Sequence, residues 1–155
     1  MRNTTNYTID IHRDADALVD VLSSGAVFPL VVTGSSMMPF LKGGRDIVRL
    51  HKTDRFYRGQ IVFFRRRSGE FVLHRIRRIC PDGQLLVNGD AQKWCEYIHR
   101  DQVLAEVISI SRNQRDIYPN SMLSRVLRTL WYPTRVLRPF IWRTYGFLRK
   151  LTQKK

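Results

Sequence analysis

The sequence predicts a mainly β fold, preceded by a short helix and followed by a basic helical tail. Between residues 27 and 111, short runs rich in Val, Ile, Leu and Phe alternate with glycine-containing turns, a pattern typical of antiparallel strands. Apolar residues recur at helical spacing before residue 24 and again after residue 120. The 155 residues are enough for one domain with a hydrophobic core.

These patterns divide the chain into three parts. Residues 1–26 form an extension with a short helix, residues 27–115 form the β core, and residues 116–155 form the tail. In the extension, aspartates open a helix over residues 14–23, and Gly25 follows its end. Its opening residues lack the apolar stretch of a signal peptide, and no window of about 20 apolar residues predicts a transmembrane helix. We therefore expect a cytoplasmic protein, or one peripheral to the inner face of the membrane.

The β core contains six runs with the composition of strands. They are AVFPLVV (26–32), DIVRL (46–50), QIVFFRR (60–66), EFVLHRIRRI (70–79), QLLVNG (84–89) and VLAEVISI (103–110). The fourth and fifth runs are joined by the turn sequence PDG, which predicts a hairpin.

The tail carries most of the net charge. Residues 1–120 hold 18 basic and 13 acidic residues, a net charge of +5, whereas residues 121–155 hold 9 basic residues and no acid. Such a charge points to an anionic partner. Two interpretations stay open: an amphipathic helix lying in an anionic membrane surface, or a helix packed on the core with a solvated basic face. Nucleic acid is not the expected partner, because the aromatic residues fall on the face predicted to be buried.

The cysteines and two of the histidines do not predict a metal site. Cys80 and Cys95 lack metal-ligand spacing, so we expect two free thiols, although a disulfide between them stays open. His51 and His99 lie in polar, turn-like contexts and are expected at the surface. No metal and no cofactor is predicted.

A serine lies on a sharp corner after the first strand, in VVTGSSMMPFL (31–41). It could cap a short helix, since serine is a favoured N-cap residue. It could also be a nucleophile, because His74 lies in the fourth run and Asp90 follows the fifth. A hydroxyl becomes a nucleophile when a base such as imidazole takes its proton and a carboxylate orients that base.

Four segments, taken together, resemble the conserved boxes of type I signal peptidases and of SOS-repressor (LexA-like) self-cleaving proteins. GSSMMPFLKGGRDIVRL resembles their G-x-S-M-x-P-x-L-x-x-G-D-x-V box, and RGQIVFFR resembles their G-D-I-V-x-F box. FVLHRIRRI is similar to the box with the general base, and LLVNGDA to the K-G-D-N segment. The resemblance covers residues 27–110 and implies a β-barrel-type catalytic core with serine endopeptidase activity on a peptide or precursor protein.

The resemblance implies a role for each matching residue. Ser36 aligns with the nucleophile, and His74 stands where the common bacterial enzymes have lysine and the archaeal and endoplasmic-reticulum enzymes have histidine. Glu96 occupies the position of the third catalytic acid, six residues after the Asp of the G-D-N box, which is Asp90 here. Either Glu96 or Asp90 would be the third catalytic residue that orients the imidazole. We favour Glu96, with Asp90 acting structurally through bonds to nearby backbone N–H groups.

The sequence departs from the family pattern at several positions. Asp46 is one residue late and Gln60 replaces an aspartate, which we interpret as turn variation. Gly34 stands where some relatives have an oxyanion-stabilising serine or threonine, so we expect a slow enzyme, or one helped by Thr33 or Ser35. A membrane anchor, a DNA-binding domain and a self-cleavage site are not recognised. The alternative to a peptidase is a catalytically idle member of the fold that acts as a membrane-associated binding or accessory module.

Overall fold

The structure is a computed structural model that describes residues 15–131. Within that range it is mainly β, as the sequence predicts, and all its strand pairings are antiparallel. The helices are α1 (Ala15–Ser23), a short 3-10 helix (Arg100–Gln102) and α2 (Met122–Trp131). The strands are β1 (Phe28–Val31), β2 (Ile47–His51), β3 (Ile61–Arg65), β4 (Phe71–Ile79), β5 (Leu85–Asn88), β6 (Glu96–Ile98), β7 (Val103–Arg112) and β8 (Arg115–Ile117).

One sheet contains every described strand. Its order is β1-β2-β7-β3-β4-β5-β6, and β8 pairs with β7. Each of the six predicted runs forms a strand, and the predicted hairpin is confirmed as β4 and β5, where Ile79 lies opposite Leu85. β6 and β8 were not predicted, because three residues are too few to show an alternating pattern.

The sheet buries a separate core on each of its faces. β3 lies between β4 and β7, and its side chains alternate between the two cores: Ile61 and Phe63 pack in one, Val62 and Phe64 in the other. This double burial explains why the run is apolar without interruption, whereas a strand with one wet face would alternate. The pairing register shifts by one residue at three places, Leu104 and Ile108 of β7 and Arg77 of β4. Such an extra residue bends its strand locally.

Both α-helices lie at positions that the sequence predicts to be helical. α1 covers the first core with Leu18 and Leu22, which are each 2% exposed. α2 begins at Met122, and the apolar pattern further along the tail lies outside the described residues. No helix within residues 15–131 is long and apolar enough to span a membrane. The three-part division of the chain stays a prediction.

Asp46 and Gln60 are structural groups rather than turn variation. The Asp46 carboxylate is fully buried and accepts hydrogen bonds from the side chains of Arg45 and Arg112. Burial raises the pKa of Asp46, but these bonds and one from the Lys42 N–H outweigh it, so the pKa lies well below its usual value. Gln60 is also buried, and its amide donates to Glu106 at 2.8 Å.

Candidate active site

Residues 32–46, here called the nucleophile turn, connect β1 to β2 and carry Ser36. Gly34 has φ +59°, a left-handed conformation that glycine adopts without strain. The Gly43 N–H donates to the Gly34 carbonyl at 3.2 Å, and a Cβ at Gly43 would lie only 2.5 Å from that oxygen. The turn is therefore closed on itself, and two glycines permit the close approach.

The β5–β6 connection holds the nucleophile turn from the other side. The Ala91 N–H donates to the Ser36 carbonyl at 2.8 Å. Gly89 packs so closely that a Cβ there would lie 2.6 Å from the same oxygen. The sequence boxes around Ser36 and Asp90, which are far apart in the chain, thus meet in space.

Ser36 does not cap a helix. Its hydroxyl makes no hydrogen bond to any group in residues 15–131, and its side chain is half-buried. Its backbone N–H also donates to no group in that part of the chain. A hydroxyl and an N–H without partners on one residue are the arrangement that a nucleophile and its oxyanion donor require.

Ser36 and His74 line the same cleft, which has a volume of about 260 Å³. The nucleophile turn, β1 and β4 form it, and much of its lining is apolar, including Val31, Met37 and Val72. Within the described residues, no hydrogen bond joins Ser36 to His74. Catalytic hydrogen bonds are often long before substrate binds, so the shared cleft is the informative observation.

His74 lies on β4 opposite Val62 of β3, and only 1% of its side chain is exposed. Its ring lies 5.9 Å from the rings of Phe64 and Trp94, measured between centroids. Burial lowers the pKa of His74 to about 4, with the carboxylate of Glu96 opposing the shift and the charge of Arg66 adding to it. The imidazole is therefore neutral at pH 7, the form that can accept a proton.

Glu96, at the start of β6, is the acid that faces His74. Its Oε1 lies 2.9 Å from Nδ1 of His74, although the N–H direction does not align as in a full hydrogen bond. Arg66 holds the same carboxylate with two bonds, Nε to Oε2 at 2.9 Å and Nη2 to Oε1 at 2.8 Å. These bonds raise the pKa of Arg66 and fix the carboxylate beside the imidazole.

Asp90 has a different neighbour from the one that the sequence predicts. It does not bind nearby backbone N–H groups; its carboxylate forms a buried ion pair with Arg75, with Nη2 to Oδ2 at 2.7 Å. The two side chains are 1% and 3% exposed. Arg75 also donates to the Gly59 carbonyl at 2.8 Å. The structural role expected for Asp90 agrees with this position, but the partner expectation was wrong.

The remaining candidate positions lie away from the cleft. His51 ends β2, and His99 is exposed beside the 3-10 helix. No three His, Cys, Asp or Glu side chains within residues 15–131 cluster as metal ligands. No disulfide joins Cys80 and Cys95.

A family model described as Peptidase S24-like matches residues 4–109. The matched range contains Ser36, His74, Asp90 and Glu96, and it includes α1, which the motif resemblance left outside. A search of curated proteins found no match.

Proposed function

The chain belongs to the Peptidase S24-like family, and on that premise we propose that it is a serine endopeptidase with Ser36 as nucleophile and His74 as general base. The observation that supports this most is the shared cleft, with Ser36 and His74 on its wall and Glu96 2.9 Å behind the imidazole. The substrate is a peptide or a precursor protein whose scissile segment enters the cleft.

The proposed reaction is acyl transfer. Ser36 Oγ attacks the scissile carbonyl carbon while the neutral imidazole of His74 takes the hydroxyl proton. The backbone N–H of Ser36, which binds no other described group, stabilises the oxyanion. His74 then gives its proton to the leaving amine, and a water molecule activated by the same base hydrolyses the acyl-enzyme.

Glu96 and Arg66 are proposed to act through the base. Glu96 favours the tautomer with hydrogen on Nδ1, which leaves Nε2 to accept the serine proton. Arg66 keeps the carboxylate in place and spreads its charge, so the imidazolium is stabilised less than by a free carboxylate. A base with so low a pKa gains little driving force for proton transfer, which fits a slow enzyme.

The second candidate is the catalytically idle module. The lack of a Ser36–His74 hydrogen bond within the described residues favours it. The peptide-cleavage assay described next distinguishes an active peptidase from an idle module.

The proposal is tested with peptides obtained from unfolded proteins and with mass spectrometry of the new chain ends. We expect cleavage by the wild type and none by His74→Gln, because the glutamine amide cannot accept the serine proton. His51→Gln is the matched control, since that histidine lies outside the cleft, and it should cleave normally. Equal cleavage by His74→Gln would show that another group is the base, and inactivity of the wild type would favour the idle module.

The pH dependence tests the state of His74. Because burial lowers its pKa to about 4, we expect turnover to fall only below about pH 5, whereas a solvated imidazole would lose activity near 6.5. Protonated imidazole cannot act as a base, so activity is lost as the pH falls through the pKa. The initial rate is measured against pH with a peptide that the wild type cleaves in the preceding assay. Circular dichroism at each pH distinguishes protonation of His74 from unfolding. An acid limb centred near pH 6.5 in folded protein would contradict this expectation.

A further inference from the structure

α2 carries apolar side chains that no other group within residues 15–131 fully covers. Five of its side chains are between 49% and 84% exposed: Met122, Leu123, Val126, Leu127 and Leu130. A groove of about 560 Å³ separates α2 from the sheet and is lined by Leu127 on one side and by Ile110 and Ile117 on the other. Exposed apolar patches of this kind on a soluble domain mark interaction surfaces.

α2 is nevertheless fixed to the domain at its end. The Trp131 indole N–H donates to the Asp90 carbonyl at 3.0 Å, and its ring meets Phe40 edge-on at 6.4 Å. At the other end, the Ser124 hydroxyl donates to the Tyr118 carbonyl at 3.1 Å. The apolar face is therefore presented by an anchored helix.

The charge around this face selects the partner. Residues 121–155 hold nine basic residues and no acid, and Arg125 of α2 is exposed. In contrast, the arginines that line the groove, Arg75 and Arg112, already pair with Asp90 and Asp46. We infer that α2, with its exposed Arg125 and apolar side chains, forms a docking surface for an anionic lipid bilayer, with the apolar side chains entering the interface.

Other occupants fit these observations less well. A second copy of the chain carries the same net charge of +14, so two such surfaces repel each other. Nucleic acid would use the arginines, but none of the exposed apolar side chains of α2 carries a ring on which a base can stack. A bilayer with anionic head groups satisfies both the charge and the apolar face. This inference does not depend on the peptidase activity.

The test is co-sedimentation of the full chain with vesicles of phosphatidylcholine alone or mixed with phosphatidylglycerol, at low and high salt. We expect binding to the mixed vesicles, weakened but not abolished by salt, because salt screens only the charges. The double variant Leu123→Ser, Leu127→Ser should lower the affinity roughly tenfold for each inserted side chain. Val27→Ser is the matched control, since Val27 is 47% exposed but lies outside α2, and it should bind like wild type.

Three outcomes would overturn the inference. The first is no sedimentation of the wild type with mixed vesicles at low salt. The second is a folded double variant, by circular dichroism, that binds as tightly as wild type. The third is that another partner occupies the surface. This would appear as tighter binding of the wild type to an oligonucleotide than to mixed vesicles at the same salt, or as a wild-type dimer that binds no lipid and that the double variant abolishes.

Discussion

Replacing Ser36 by alanine is expected to remove peptide cleavage while the fold stays intact. The proposed reaction has no other nucleophile, and loss of the nucleophile in a serine protease lowers kcat on the order of a millionfold. In an enzyme that is already slow, the residual rate falls below detection. The measurement is the appearance of new chain ends in the peptide mixture over time.

The fold should tolerate Ser36→Ala because the serine hydroxyl contributes little to the stability of the turn. The Ser36 hydroxyl makes no hydrogen bond within residues 15–131, and the turn is held instead by the Ala91 N–H on the Ser36 carbonyl. Alanine keeps that backbone bond. We expect the free energy of unfolding to change by less than about 0.5 kcal/mol, measured by denaturant titration.

The neighbouring serine provides the matched control. Ser35 is exposed and does not line the cleft, so Ser35→Ala should cleave at a rate close to wild type. If folded Ser36→Ala cleaves as fast as wild type, Ser36 is not the nucleophile. If both variants lose activity while remaining folded, the turn rather than the Ser36 hydroxyl carries the effect.

Six of the strands were predictable because their apolar runs are long enough to indicate a buried strand. The uninterrupted run of β3 indicates a strand covered on both faces, and the structure gives it a core on each. Ser36 could be predicted as a candidate nucleophile because its turn has a local signature. That His74 joins the same cleft rests on the resemblance, since a histidine in a strand pattern does not indicate which face it occupies.

The arginine partners of Glu96 and Asp90 were not predicted from the sequence, because they depend on pairing between strands that are distant in the chain. Arg66 is the middle one of three successive arginines, of which the first ends β3, and nothing in that run shows which one reaches Glu96 on β6. The same limit explains Asp90: its local sequence favoured backbone bonds, whereas the register of β4 and β5 pairs Arg75 with Asn88 and so brings Arg75 close to it. Such ion pairs depend on the register of the sheet, that is, on which residues of neighbouring strands lie side by side. A short stretch of sequence does not determine this register.

Asp90→Asn and Glu96→Gln are expected to fail in different ways. Asp90 neutralises a buried arginine, and removing one partner of a buried ion pair costs about 3–5 kcal/mol. We therefore expect Asp90→Asn to lower the free energy of unfolding by an amount of that order. Glu96 is 20% exposed in its side chain, and its partner Arg66 keeps Glu70, so Glu96→Gln should be far less destabilising. The main effect of Glu96→Gln should be lower turnover, because the neutral amide replaces the carboxylate that orients the imidazole of His74.

The decisive comparison measures both quantities on the same preparations. Turnover is taken at a temperature where each variant is folded, and stability comes from denaturant titration. A second change, Arg75→Met in the Asp90→Leu background, removes both charges and should recover much of the stability that Asp90→Asn loses, since a buried pair replaced by apolar groups is often neutral. Turnover lost in folded Asp90→Asn but kept in Glu96→Gln would reverse the assignment and make Asp90 the residue that supports the base. The geometry argues for Glu96, because its carboxylate lies 2.9 Å from the imidazole, whereas within the described residues no hydrogen bond or ion pair joins Asp90 to His74.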